Sequence, residues 1–77
     1  MNAFEQLKKE IELAMSEGWT LATLGRAAKI KPQILGDWIK GRTISGNVRT
    51  MVKVAKVLAR NRSLPVDLAK MVAFYDR

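Results

Sequence analysis

The sequence predicts an all-α domain, with five short helices around one core. Three observations lead there. Apolar residues recur at three- and four-residue spacing in five separate stretches, as one buried face of a helix requires. Glycine, proline, serine and asparagine stand between those stretches, where helices start and stop. No stretch alternates apolar and polar residues in the manner of a half-buried strand. At 77 residues the chain is read as a single domain. A chain of this size buries only about 60% of its unfolded surface, so nearly every helix must serve the same core. The helices are expected at about residues 3–17, 20–28, 32–40, 46–59 and 64–75.

The first helix carries Phe4, Leu7, Ile11, Ala14 and Met15 on one stripe. Asn2 and Glu5 have the spacing of a capping box, and Gly18 supplies the left-handed stop. Thr20 is the expected N-cap of the second helix. Trp19 before it and Leu24 after it form a hydrophobic staple, which makes Trp19 a packing residue rather than a platform for bases. Leu24, Ala27 and Ala28 face inward. Gly25 costs this helix about 1 kcal/mol relative to alanine, which is tolerable where the third helix must approach closely.

Ile30 packs in the turn, and Pro32 stands in the first turn of the third helix, where its missing N–H would have had no partner. Ile34, Leu35, Trp38 and Ile39 form the expected inner side. Gln33, Gly36, Asp37 and Lys40 form the opposite edge, which is short, polar and free of large apolar groups. Gly41 ends the helix. Ser45 or Asn47 caps the fourth helix, whose core stripe is Val48, Met51, Val52, Ala55 and Leu58. Arg49, Lys53, Lys56 and Arg60 make a basic stripe beside it, and Thr50, Val54, Val57 and Asn61 a third, exposed-looking face. Ser63 is the expected cap of the last helix, with Pro65 in its first turn and Leu64, Leu68, Met71, Val72 and Tyr75 on its stripe.

Composition narrows the function. There is no cysteine and no histidine, so disulfides, thiolate metal sites and imidazole chemistry are excluded. The seven acidic residues are scattered, and no nucleophile or acid–base constellation is visible. No enzyme activity, metal or cofactor is expected. Apolar runs are too short to span a membrane and no signal-peptide pattern stands at the start, so a soluble, cytoplasmic protein is expected.

The net charge is +7, unevenly placed. Residues 1–25 hold Lys8 and Lys9 against Glu5, Glu10, Glu12 and Glu17, giving −2. Residues 26–62 hold Arg26, Lys29, Lys31, Lys40, Arg42, Arg49, Lys53, Lys56, Arg60 and Arg62 against Asp37 alone, giving +9. Residues 63–77 balance to zero. Such a basic region is the footprint of a polyanionic partner, or else a solvated surface.

Thr20, Leu24, Gly25, Ala28, Ile30, Leu35, Trp38 and Gly41, in register without a gap, resemble the lambda repressor-like, Cro-type helix-turn-helix family. The resemblance continues into the helix beginning near Ser45, with Leu58 at the place of a late core leucine, and covers roughly Phe4 to Leu64. The chain departs from the family's usual pattern at four places. Lys29 stands for glycine in the turn, Gly25 for alanine, Lys31 for a Ser or Thr cap, and Ile39 for glutamate after the tryptophan.

The resemblance implies a helix-turn-helix at about residues 20–40 and sequence-specific binding to double-stranded DNA. The base-facing residues it implies are Lys31, Pro32, Gln33, Gly36 and Asp37. Gln33 suits adenine, Lys31 guanine, and Asp37 the cytosine amino group, unless Asp37 is paired with Lys31 or Lys40. The phosphate-contacting residues it implies are Thr20, Lys40, Arg42, Thr43 and Arg49. One unit reads few base pairs, so a homodimer on a palindromic operator is expected, joined through Val54, Val57, Phe74 and Tyr75. For Val57 and Tyr75 a place in the monomer core is an equal alternative. The implied role is a small phage-type or mobile-element repressor with no small-molecule effector. Two rivals remain. One is a protein-interaction module of antirepressor or antitoxin kind, which would show an apolar stripe on the third helix. The other is a non-specific nucleic-acid binder, which would need exposed aromatics; packing roles are expected for Phe4, Trp19, Trp38, Phe74 and Tyr75.

Overall fold

The computed structural model describes residues 2–42 and 47–75. Five helices follow one another: α1 (Ala3–Ser16), α2 (Leu21–Ala28), α3 (Pro32–Ile39), α4 (Val48–Ala59) and α5 (Val66–Tyr75). No strand occurs among the described residues. The domain is all-α, as the apolar spacing predicts. No helix among the described residues is long and apolar enough to cross a membrane.

Local chemistry sets the helix ends. The Asn2 Oδ1 accepts the Glu5 amide at 2.9 Å, which satisfies one N–H that the start of α1 leaves without a partner. Thr20 caps α2 through a full capping box. Its hydroxyl accepts the Thr23 amide at 3.1 Å, and the Thr23 hydroxyl accepts the Thr20 amide at 2.9 Å. Asn47 caps α4 by accepting from the Arg49 and Thr50 amides at 2.9 and 3.4 Å. The alternative cap, Ser45, lies outside the described residues.

The first three helices close with one device. Beyond α1, the amides of Gly18 and Trp19 donate to the carbonyls of Met15 and Ala14 at 3.2 and 3.1 Å. Beyond α2, those of Lys29 and Ile30 donate to Arg26 and Gly25 at 3.3 and 2.8 Å. Beyond α3, those of Gly41 and Arg42 donate to Trp38 and Asp37 at 3.2 and 3.0 Å. This nested pair of bonds needs a left-handed residue at its corner. Gly18 (φ +110°) and Gly41 (φ +76°) adopt that shape cheaply; Lys29 (φ +61°) is the non-glycine that must also do so. The lysine that stands in place of the turn glycine therefore carries backbone strain.

The core gathers Phe4, Leu7 and Ile11 of α1, Leu24 of α2, Leu35 and Trp38 of α3, Val54, Ala55 and Leu58 of α4, and Leu68 of α5. Phe4 and Trp38 meet edge to face with ring centroids 5.5 Å apart, which ties α3 to α1. Gly25 serves the close approach predicted for it. A Cβ there would lie 2.7 Å from the Ile30 carbonyl oxygen and 3.2 Å from the Pro32 nitrogen.

Several expectations are overturned. Val54 and Val57 are only 0% and 3% exposed, so neither offers a dimer surface. The physical reason is that α4 is packed by α1, α2 and α5 at once, which buries its supposed third face. Tyr75 goes the other way: it is exposed, and it stacks edge to face on the exposed Phe74 at 4.8 Å rather than completing the core. Met15 and Ile34, expected on inner stripes, are exposed at 38% and 37%.

The last helix begins at Val66, two residues later than predicted, and Ser63 and Pro65 precede it. The Pro65 carbonyl takes the first helical bond from the Ala69 amide at 2.8 Å. The Leu68 amide donates instead to Gln6 Oε1 of α1 at 3.0 Å. A side chain from another helix thus does the work that a local cap was expected to do. The charge arithmetic also needs one correction. Arg62 pairs with Glu10 at 3.6 Å and with Glu17, so it binds the α4–α5 connection to α1 and does not belong to the free basic surface.

Candidate nucleic-acid interface

The arrangement of α3 follows from its sequence. Leu35 and Trp38 point into the core at 0% and 2% exposure. A helix anchored along one side must present the other side to solvent, and that side begins with Lys31, Pro32 and Gln33, all exposed. Lys31 makes no side-chain cap, as expected from the loss of a Ser or Thr there; Pro32 has no N–H and the Ile34 amide donates to the Lys31 carbonyl at 3.0 Å, so the Gln33 amide is the one left open at the start of α3. Gln33 has no hydrogen-bond partner among the described residues, which leaves both its amide N–H groups and its carbonyl available.

Further along, the edge changes character. Gly36 is half-buried, and a methyl added there would meet Leu21 Cδ1 at 3.7 Å. It therefore borders the start of α2 and marks the margin of the open edge. Asp37 is also half-buried, and its Oδ1 lies 3.7 Å from Nη1 of Arg42, not beside Lys31 or Lys40 as the spacing suggests. The nested closing bonds cause this, because they fold Arg42 back over the last turn and hold its amide 3.0 Å from the Asp37 carbonyl. Side-chain exposures of 34% and 68% make it a weak ion pair, worth about 0–1 kcal/mol after solvent screening.

The described phosphate candidates are all exposed. Lys40 and Arg42 are exposed just beyond α3, Arg49 is exposed in the first turn of α4, and Thr20 is exposed at the start of α2. The Thr20 hydroxyl is committed to the Thr23 amide, so the open donors at that end are the Leu21 and Ala22 amides, which have no acceptor within the helix. Thr43 lies outside the described residues.

Of the dimer candidates, Phe74 and Tyr75 are exposed, at 61% and 58%. Tyr75 also lines a shallow concavity with Asn47, Val48 and Arg49, so a candidate dimer residue stands beside a candidate phosphate residue.

Sequence reasoning missed Thr23, whose role was legible in its three-residue spacing from Thr20. It also missed Ile34 as a solvent-facing apolar group beside Gln33, for which helical periodicity gave no signal. Among the described residues no three acidic side chains gather into a metal-binding group.

Comparison with known proteins finds no matching family model, no matching curated protein and no matching solved structure. The functional reading rests on the residues and their arrangement.

Proposed function

We propose that the protein is a sequence-specific, double-stranded DNA-binding transcriptional regulator of helix-turn-helix type, acting as a homodimer on a palindromic operator. One observation carries this reading. The edge of α3 that begins at Lys31, Pro32 and Gln33 is exposed, with the cations Lys40 and Arg42 exposed just beyond its other end, while Leu35 and Trp38 anchor the opposite side in the core. A buried tryptophan behind an exposed polar edge is what a rigid reading head needs, since base contacts require a fixed helix.

In this reading Gln33 contacts adenine through N6 and N7, Lys31 donates to guanine, and Ile34 packs on a thymine methyl. Asp37 accepts from cytosine or keeps Arg42 in place for a neighbouring phosphate. The Leu21 and Ala22 amides and the side chains of Lys40, Arg42 and Arg49 take phosphates, which supply affinity with little sequence information. The α5 aromatics Phe74 and Tyr75 join two copies. The domain is 26 Å across, less than the spacing of about 34 Å between successive major grooves, so two copies fit side by side. The role that suits a domain of this kind is a small repressor of phage or mobile-element type.

Selection of bound sites from random duplex DNA tests the reading. A palindromic consensus with half-sites one helical turn apart, or a multiple of that, is the expected result. Recovery of unrelated sequences, or tighter binding of a single-stranded competitor, would overturn it.

A further inference from the structure

We propose that the exposed face of α4, together with Lys29, is a second phosphate-binding track that takes the DNA backbone beyond the segment read by α3. The proposal rests on the DNA-binding reading and adds a site to it.

Between Met51 and Leu58 every residue of α4 except Lys53 and Lys56 is buried. The side left open carries Arg49, Lys53, Lys56 and Arg60, all exposed. Their spacing keeps them within an arc of about 60° and spreads them over about 16 Å of helix. Lys29 joins this line from the α2–α3 turn. With Lys53, Lys56 and Arg60 it surrounds one open concavity of about 210 Å³, whose floor includes Ala28 and Val57. No acidic residue lines that concavity, and none occurs in the sequence between Asp37 and Asp67.

Two independent features here work against the stability of the isolated domain. Like charges three and four residues apart on a helix repel one another. Lys29 holds a left-handed backbone that Gly18 and Gly41 adopt freely at the matching corners. Glycine at that corner would relieve the strain but remove the cation. Favourable interaction with the C-terminal ends of α2 and α4 accounts for part of the pattern, at Lys29, Lys56 and Arg60. It does not account for Lys53 in mid-helix, and it disfavours Arg49 at the N-terminal end of α4. A partner that rewards the whole line explains all five.

The line's shape selects the partner. A compact anion would need only the Lys29 end, whereas the cations run the length of α4. The Arg49 end opens α4 beside Asn47 and is itself one of the phosphate candidates. One DNA strand carries its phosphates in unbroken succession, so a track of about 16 Å meets several of them in turn. The strand leaving the base-read segment is the polyanion of matching length and continuity.

The test compares the parent chain with a Lys53→Ala, Lys56→Ala, Arg60→Ala variant. Alanine favours the helix, and circular dichroism confirms that the variant is folded. Affinity is measured against salt concentration on two duplexes. One is trimmed to the selected site; the other is extended by about one helical turn, roughly 10 base pairs, on each side. On the extended duplex, loss of three phosphate contacts in each copy is expected to lower the slope of log affinity against log salt by about 2.7 per bound copy, about 5.4 for the dimer. On the trimmed duplex the slopes should agree, and preference for the selected over a scrambled sequence should be unchanged.

Equal slopes for parent and variant on the extended duplex, with the parent bound, would overturn the track and leave the regulator reading intact. Equal slopes together with loss of binding to a polyglutamate peptide would reassign the face to an acidic protein segment. A parent that binds neither duplex would overturn the regulator reading itself.

Discussion

Gly25 and Gly36 lie in adjacent helices, and replacing each with alanine is expected to move stability in opposite directions. Inside a helix, alanine is favoured over glycine by about 1 kcal/mol, largely because glycine has more freedom to lose on folding. At Gly25 the added Cβ would sit 2.7 Å from the Ile30 carbonyl oxygen and 3.2 Å from the Pro32 nitrogen. Both are main-chain atoms, and the Ile30 amide is itself bonded to the Gly25 carbonyl at 2.8 Å, so neither can rotate aside. Overpacking costs about 1–3 kcal/mol, and a main-chain obstacle places this case toward the upper end. The clash outweighs the propensity gain and leaves a net loss of about 1–2 kcal/mol. At Gly36 the nearest atom to an added Cβ is Leu21 Cδ1 at 3.7 Å, an ordinary contact, so the gain of about 1 kcal/mol survives. In a domain of this size 1 kcal/mol moves the thermal midpoint by about 4–8 °C. Melts followed by circular dichroism should therefore show Gly25→Ala falling by roughly 5–15 °C and Gly36→Ala rising by roughly 4–8 °C. Two shifts of the same sign would refute the reasoning. Both upward would mean that the turn does not press on α2, and both downward that the margin of α3 is not open.

Further outcomes follow from the same contacts. Lys29→Gly relieves left-handed strain of about 1–2 kcal/mol and returns part of it as unfolded-state freedom, so urea unfolding should show a net gain of roughly 0.5–1 kcal/mol. The same variant should bind DNA with a salt slope smaller by about 0.9 per bound copy, about 1.8 for the dimer, giving a more stable but weaker binder. Arg62→Ala leaves the Glu10 carboxylate, 8% exposed, without its cation, and should cost about 1–3 kcal/mol in chemical unfolding. Adding Glu10→Gln should recover part of that loss; no recovery would mean that Arg62 acts through Glu17 or through packing rather than by neutralising Glu10. Trp38→Ala removes the ring that docks α3 on Phe4 and should cost about 3–5 kcal/mol, enough to abolish a cooperative melt in a marginally stable domain.

Most of the fold was legible because its signals are local. Thr20, Asn47, Gly18, Gly41 and Pro32 each act within a few residues of their own position, and the helix ends follow them. The strain at Lys29 and the close approach at Gly25 were legible for the same reason. What the sequence did not reveal depends on which helices meet. Val54 and Val57 sit on a face that periodicity leaves outside, and only the packing of α1, α2 and α5 around α4 shows them to be core. The cap of α5 comes from Gln6, 62 residues away from Leu68, and no local pattern announces such a bond. Arg62 could be counted as a surface cation only until its position between Glu10 and Glu17 was seen. In the candidate site, the exposed start of α3 matched the sequence reading. The partner of Asp37 did not, because the nested bonds beyond α3 bring Arg42 to it from outside the helix.

The most direct measurement is base discrimination by the Gln33→Ala variant on the selected duplex. Parent and variant are titrated against that duplex and against copies with single base-pair changes. If the open edge of α3 reads bases, one position should lose about tenfold to a hundredfold discrimination in the variant, while the other positions keep theirs and affinity for scrambled DNA is unchanged. Uniform weakening on every sequence, or an unaltered preference at every position, would contradict the assignment of that edge to base recognition.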